Sequence, residues 1–199
     1  MLTPVAAEPV WPEASECGTF PARVRQNTIY GGMSDCYLSR IGEKPLWRDL
    51  AEDQVQTLRF TFVHGHALFF RSVRIDTLPD GSGRMVVDGT NRRASIRQES
   101  KRIGPHTVQI SGEEMAQINR LVAQSGTFEH EIGTWDKTDG DTLYMHCQTL
   151  DLERADADGY RTSSVNIGCN HPNKLMPLIE EIVRLAGLGQ VGKGARFYF

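Results

Sequence analysis

A cysteine and a histidine lie close together in the stretch VNIGCNHPNKLMPL, residues 165–178. A thiolate is a strong nucleophile, and a protonated histidine or a helix N-terminus lowers the pKa of a cysteine enough to form one. Cys169 and His171 therefore suggest a cysteine-dependent hydrolase or transferase, and the neighbours His146 and Cys147 suggest the same chemistry. This is the enzymatic hypothesis for the chain.

The helix that follows Cys169 weakens this hypothesis. Pro177 has no backbone N–H for the carbonyl four residues before it, so we expect the regular helix to begin near Asn173 or later, with Pro177 in or near its first turn. The effect of a helix dipole fades within one turn, and Cys169 then lies beyond it. One of the two sources of activation is therefore missing.

A disulfide is the alternative state of these cysteines. The strand-like runs 141–154 and 160–169 flank an ADADG turn, which predicts a hairpin. If the hairpin turns around Asp158, Cys147 and Cys169 lie opposite each other, because they are equally far from that residue. We expect a Cys147–Cys169 bond, with unpaired structural thiols as the alternative.

The other two cysteines lie in the N-terminal segment. Cys17 and Cys36 fall in one loop-rich stretch, so we expect them to form a second disulfide, although four cysteines allow three connectivities. Disulfides persist in oxidising compartments. We therefore expect a periplasmic or secreted protein whose signal peptide has been removed.

Histidines and acidic segments raise two metal hypotheses. His64 and His66 in HGH would point to one face of a strand, where they could bind zinc with His146 or Cys147. Two ligands do not complete a site, and such histidines are more often ordinary polar residues, so we expect no metal. The segments ADADG and DKTDGD place oxygen ligands around a glycine but do not fit the EF-hand loop. We interpret both as solvated turns.

A glycine-rich stretch resembles two nucleotide-binding motifs. GLGQVG, residues 187–192, has the spacing of a dinucleotide fingerprint, and Lys193 extends it towards a phosphate loop. Both motifs need a strand before the glycines and a helix after them. A helix precedes them here, so we expect no cofactor. We predict a C-terminal tail, 188–199, whose Phe197, Tyr198 and Phe199 could dock on the domain or on a partner.

Five basic residues cluster in NRRASIRQESKR, residues 91–102. Such a cluster can contact several phosphates, but the stretch contains no aromatic residue on which bases would stack. We expect exposed side chains and no nucleic-acid site. The five residues are Arg92, Arg93, Arg97, Lys101 and Arg102.

Composition and charge indicate the general class of the protein. The chain has 199 residues, 39% hydrophobic and 24% charged, which is typical of one soluble globular domain. Its formal charge of −3 indicates no class of partner. No apolar run approaches the roughly 18 residues that span a bilayer, so we expect no membrane span.

Periodicity predicts the elements that position these residues. Residues 1–45 hold many prolines and little periodicity, which indicates an irregular arm, and 46–187 form the domain. We predict a short helix over 43–54 and helices over 111–125 and 173–187, the former with a Ser111/Glu114 capping box and a stop at Gly126. Alternation predicts strands in the runs TLRFTFV, ALFFRSVRI, RMVV and HTVQI, with turns at 80–83 and at Asp88-Gly89.

This order of elements predicts an α+β fold, with an antiparallel meander, a C-terminal hairpin and two main helices packed on one face of the sheet. An Arg-and-Phe strand, the DGSGR turn, the Ser-capped helix, the DGD turn, the Gly-Tyr hairpin and the ending LAGL resemble a group of uncharacterised exported bacterial domains. The resemblance covers about 58–187 and implies the same architecture and export. It implies no activity and no catalytic residue.

From these observations we expect a non-enzymatic binding domain whose partner is another protein, as for an inhibitor or an immunity-type protein. The sequence does not indicate a small-molecule ligand. The competing function is the cysteine-dependent hydrolase or transferase described above.

Counting thiols separates the two functions. Protein made under oxidising conditions and denatured with an alkylating agent should show no labelled cysteine by mass spectrometry, whereas reduction before labelling should mark all four. The bond between Cys17 and Cys36 closes a loop of about twenty residues, for which the chain-entropy model gives about 3 kcal/mol. Labels on Cys147 and Cys169 without reduction would return both to the list of candidate nucleophiles.

Overall fold

The main strands of this chain form where apolar and polar residues alternate, and two of its three described helices form where apolar residues recur at helical spacing. The computed structural model describes residues 17–21, 31–48, 54–64, 69–91, 101–129, 148–167 and 173–189. In these ranges the helices are α1 (Gly31–Ile41), α2 (Gly112–Ser125) and α3 (Met176–Leu185). The strands are β1 (Gln56–Val63), β2 (Phe69–Thr77), β3 (Gly83–Asn91), β4 (Lys101–Arg102), β5 (His106–Ile110), β6 (Thr149–Asp156) and β7 (Gly159–Asn166).

The strands form one antiparallel sheet. β1, β2 and β3 are consecutive neighbours, and β4 and β5 both pair with the outer edge of β3. The hairpin of β6 and β7 joins the other side of β1. The predicted α+β fold, with a meander and a C-terminal hairpin in one antiparallel sheet, is confirmed. None of the described helices is long and apolar enough to cross a membrane.

One large hydrophobic cluster contains residues from the sheet and from two helices. Phe60 of β1 and Leu152 of β6 belong to it and are fully buried, as are Ile118 of α2 and Ile182 of α3. Alternation explains the strand contribution, because every second residue of a strand points to the same face. The amphipathic pattern of the helices supplies the rest.

The ends of α2 follow the sequence prediction. The hydroxyl of Ser111 accepts the backbone N–H of Glu114, and the carboxylate of Glu114 accepts the backbone N–H of Ser111. Gly126 ends the helix in the left-handed conformation, which only glycine adopts without strain. The predicted capping box and stop are confirmed.

Helix α3 ends in a Schellman motif. Gly187 has a φ of 65°, and the N–H of Leu188 donates to the carbonyl of Val183. Leu188 is 8% exposed and belongs to the main core. The core therefore includes the first residue of the tail predicted over 188–199.

Two predictions for the N-terminal segment are wrong. α1 lies inside the arm that the sequence indicated to be irregular. Its helix depends on contacts with distant residues rather than on local periodicity, as the site geometry below shows. The helix predicted over 43–54 is absent from the described residues of that range, 43–48 and 54, of which 46–48 form a turn.

The turn predicted at Asp88-Gly89 is also wrong, because both residues lie inside β3. A Cβ atom on Gly89 would lie 2.1 Å from the carbonyl oxygen of Phe70. Glycine is needed here because two strand backbones approach closely, not because the chain reverses.

The terminal hairpin differs from the prediction by one residue of register. Asp156 pairs with Gly159, so the turn is centred between Ala157 and Asp158 rather than on Asp158. Cys147 and Cys169 lie outside the described residues, so their disulfide stays a prediction.

Candidate functional site

Polar side chains occupy the sheet face opposite the main core. In β1, Thr57, Arg59 and Thr61 alternate with the core residues Leu58 and Phe60, and all five are buried. Strand register places side chains of the neighbouring strands beside them, in two rows. The rows are Asp88, Ser72, Thr61, Asp151 and Ser164, and Val86, Arg74, Arg59, Glu153 and Thr162.

Arg59 and Glu153 form a fully buried ion pair at the centre of this face. The Nε and Nη2 atoms of Arg59 donate to the two carboxylate oxygens of Glu153 at 2.5 and 2.7 Å. Arg59 also donates to the carbonyl of Lys44 at 2.9 Å, and the hydroxyl of Tyr160 donates to Glu153 at 2.8 Å. The two charges are thus bound on several sides, as buried charges require.

Burial and charge act in opposite directions on this pair. Desolvation disfavours the charged guanidinium, but the attraction of Glu153 outweighs it and raises the pKa of Arg59. Burial, together with the negative charge of Glu153, raises the pKa of Tyr160 well above its ordinary value. Arg59 therefore stays charged, and Tyr160 stays a hydrogen-bond donor.

A chain of ion pairs connects this buried centre to the surface. Glu43 lies 3.4 Å from Arg59 and accepts a hydrogen bond from Arg74 at 2.8 Å. Arg74 and Arg84 both contact the buried carboxylate of Asp76, at 3.3 and 3.1 Å. The exposed fraction of the arginine side chains rises from 0% at Arg59 to 24% at Arg74 and 39% at Arg84.

A half-open cleft of about 550 Å³ lies where this chain reaches the surface. This volume is within the range of small-ligand sites. Its described lining contains four basic residues and one acid and no serine, cysteine or histidine. The hydroxyl of Thr57 lies within hydrogen-bond distance of Gln54 and Asp76 and is buried. The lining is Gly42, Lys44, Pro45, Leu46, Arg48, Gln54, Thr57, Arg74, Asp76 and Arg84.

Helix α1 covers the other part of the polar face. Tyr37 stacks on Phe70 of β2 with ring centroids 5.1 Å apart, and Ser34 donates to the carboxylate of Asp151. A second hydrophobic cluster seals this contact, and it consists of Phe20, Leu38, Ile41, Val63 and Phe70. Contact with the sheet thus supplies the stabilisation that the α1 sequence does not indicate.

Asp151 lies buried beneath α1. Its carboxylate accepts hydrogen bonds from Ser34 and Ser164. Burial raises the pKa of Asp151, and these two hydrogen bonds offset only part of the increase. The hydroxyls of Thr61 and Ser72, in the same row, have no hydrogen-bond partner among the described residues. The row is therefore polar, closed and without access for a substrate.

A disulfide holds α1 to the segment before it. Cys17 and Cys36 are bonded, with Cα atoms 5.1 Å apart. The carboxylate of Asp35 accepts the backbone N–H groups of Cys17, Thr19 and Phe20 at 2.8–2.9 Å. Cys17, Asp35 and Cys36 are close enough to hold a metal ion, but both sulfur atoms belong to the disulfide. The cluster is structural.

The other residues proposed from the sequence are not brought together by the described structure. The backbone N–H of His64 donates to the carbonyl of Phe69, and its ring packs on the Phe69 ring at 4.9 Å. The Arg102 side chain is 47% exposed, and it binds Asp88 and donates to the carbonyl of Ile41. Outside the described residues lie His66, His146, Cys147, Cys169, His171, Arg92, Arg93, Arg97, the side chain of Lys101, and residues 190–199.

Sequence reasoning missed the charged network. The signal was present, because charged residues occupy alternate positions in two strands, Arg74 and Asp76 in β2 and Asp151 and Glu153 in β6, and Arg59 alternates with threonines in β1. Alternation normally assigns such residues to solvent. Strand order makes these residues neighbours, and contacts with α1 and the 42–48 loop cover them. Alternation alone indicates neither.

Breaking the central pair should be costly. Arg59→Met leaves the Glu153 charge buried without its partner and should lower the free energy of unfolding by about 3–5 kcal/mol. Adding Glu153→Gln removes the orphan charge and keeps an acceptor for Tyr160, so the double variant should recover much of that loss. Chemical denaturation measures both. Equal instability of the single and double variants would contradict the assigned role of the pair.

Asp151 should make stability depend on pH. The unfolded state loses this proton near the ordinary pKa of about 4, whereas the folded state holds it at higher pH, so the wild type loses stability as pH rises through this window. Asp151→Asn has no proton to lose in this window. Its free energy of unfolding should therefore rise relative to that of the wild type as pH increases, by at most about 1.4 kcal/mol for each pH unit. Urea unfolding between about pH 4 and 7 tests this. The control is Asp158→Asn in the exposed turn, and the same trend in the control would contradict the assignment.

Comparison with known proteins assigns no family to this chain. No family model matches it, and no curated protein matches it either. Its function is therefore argued from the geometry of the cleft and of the network behind it.

Proposed function

We propose that this protein is an exported, non-enzymatic binding domain that docks on another protein through the cleft, in the manner of an inhibitor or an immunity-type protein. The observation that carries the proposal is the described lining of the cleft, which offers four basic groups, two of them held in place by ion pairs, and no serine, cysteine or histidine nucleophile. Such a lining is suited to recognition rather than to covalent chemistry.

Preorganisation supports binding. Arg74 is held by Glu43 and Asp76, and Arg84 is held by Asp76. Glu43 also contacts Arg59, which the buried Glu153 fixes in turn. A side chain that is already ordered loses less conformational entropy when a partner binds, so more of the contact energy appears as affinity.

Two further observations support export and the position of the cleft on the sheet. The Cys17–Cys36 bond favours an oxidising compartment, in agreement with the export implied by the resemblance to exported bacterial domains. The shared core of α2, α3 and the sheet favours packing of both helices on one face. We infer that this arrangement leaves the opposite face to α1, the 42–48 loop and the cleft.

Affinity capture tests the proposal. The wild-type protein should capture one protein from a periplasmic or secreted extract of its source, and the purified pair should then bind in calorimetry. Lys44→Glu/Arg48→Glu places negative charge at the cleft mouth and should abolish capture. Arg120→Glu/Lys174→Glu changes charge equally at exposed positions outside the cleft and should not.

Alkylation distinguishes protein binding from cysteine-dependent catalysis. Treatment of the folded protein with iodoacetamide should leave capture unchanged, because binding through the cleft uses no thiol. Equal capture by both charge-reversed variants would contradict the cleft as the binding site. Turnover of an ester or thioester that iodoacetamide abolishes would replace binding with cysteine-dependent catalysis.

A further inference from the structure

The cleft is basic on a chain that is acidic as a whole. The formal charge of the chain is −3, whereas Lys44, Arg48, Arg74 and Arg84 line the cleft, and Asp76 is the one acid among its described lining residues. Charges are screened over about 10 Å at ordinary ionic strength, so a ligand in the cleft responds to these residues and not to the net charge. The charged residues that line the cleft therefore favour an anionic ligand.

Among the described residues, the positive charge of the lining exceeds the negative charge that pairs with it. Asp76 binds both Arg74 and Arg84, and Glu43 binds Arg74. Lys44 and Arg48 have no ion pair within the described part of the chain, and both are exposed. Two positive charges at the mouth of the cleft thus remain for a ligand.

The geometry of the arginines favours carboxylates. Arg84 uses Nη2 on Asp76, and its remaining N–H groups have no described acceptor. The guanidinium of Arg48 lies 4.9 Å above the ring of Trp47, which restricts its plane. A planar, oriented guanidinium is suited to bind a carboxylate with two parallel hydrogen bonds.

The distribution of charge favours two separate carboxylates over one phosphate. Lys44 and Arg48 belong to the 42–48 loop, whereas Arg74 and Arg84 belong to strands β2 and β3. A compact dianion near the strand arginines would also lie near the carboxylate of Asp76, which repels it. Carboxylates spaced along a peptide can reach the loop and the strands separately, with Pro45 and Leu46 supplying apolar contact.

We infer that the cleft binds an acidic peptide segment of the partner through its side-chain carboxylates. This inference rests on the proposed function, because it names the chemistry of the group that the cleft receives. Lys44 and Arg48 contact the incoming carboxylates at the mouth, and Arg84 contacts them at the strand side. The affinity of the segment therefore depends on charge and on salt.

Fluorescence anisotropy tests the inference with a fluorescein-labelled, end-blocked Glu-Ala repeat peptide and its Gln-Ala counterpart. The wild-type protein should bind the Glu peptide, lose affinity as salt rises, and bind the Gln peptide at least about tenfold more weakly, which is 1.4 kcal/mol. Lys44→Gln/Arg48→Gln should weaken binding of the Glu peptide by a similar factor. Arg120→Gln/Lys174→Gln removes the same charge outside the cleft and should leave binding unchanged.

Competition with small anions decides between the two anion classes. Glutarate should displace the Glu peptide at a lower concentration than inorganic phosphate does. Stronger displacement by phosphate, equal binding of the two peptides, or equal loss in both double variants would overturn the inference. If the Glu peptide fails to bind while cleft-dependent capture of a partner persists, the proposed function stands and only the acidic ligand is refuted.

Discussion

The buried ion pair between Arg59 and Glu153 is the interaction on which the polar half of this structure depends. Neither charge reaches solvent, so each needs a complete set of partners inside the protein. The Tyr160 hydroxyl and the Lys44 carbonyl supply part of that set. Glu43 supplies the rest and thereby ties the 42–48 loop to the sheet. The buried guanidinium of Arg59 thus helps to hold a loop that has little regular structure, because it binds Glu43 and the carbonyl of Lys44.

The same constraint explains why strand register matters so much on this face. A slip of one residue in β6 would turn Glu153 into the apolar core and leave Arg59 without an anion. The core residues on the opposite face impose the same register through their own burial. Hydrophobic and electrostatic requirements therefore agree, as expected of a sequence that specifies one sheet.

The cleft and α1 divide the polar face between them. Under α1, Asp151 is closed off by serine hydroxyls and by the hydrophobic cluster around Phe70. Beyond α1, the network of ion pairs reaches the surface through Arg74 and Arg84, which are partly exposed. The buried pair is thus connected through Glu43 to partly exposed arginines, and the ordered positions of these arginines support a role in binding.

The sequence by itself determined what depends on neighbours along the chain. Alternation identified β1 and β2, the Ser111/Glu114 box and Gly126 bounded α2, and the nearness of Cys17 to Cys36 led to the disulfide expected there. In each case the stabilising contacts are local or the spacing is characteristic. These features also sufficed for the α+β class and the antiparallel sheet.

Only the tertiary structure decided what depends on distant residues. α1 forms because Asp35, the disulfide and Phe70 hold it, and Gly89 continues a strand because the Phe70 backbone lies against it. Arg59 and Glu153 are 94 positions apart, and no local pattern distinguishes a strand charge that faces water from one that meets its counter-ion under a loop. The cleft follows from that meeting. The sequence supplies the basic residues of the cleft, but strand order and burial determine where they meet.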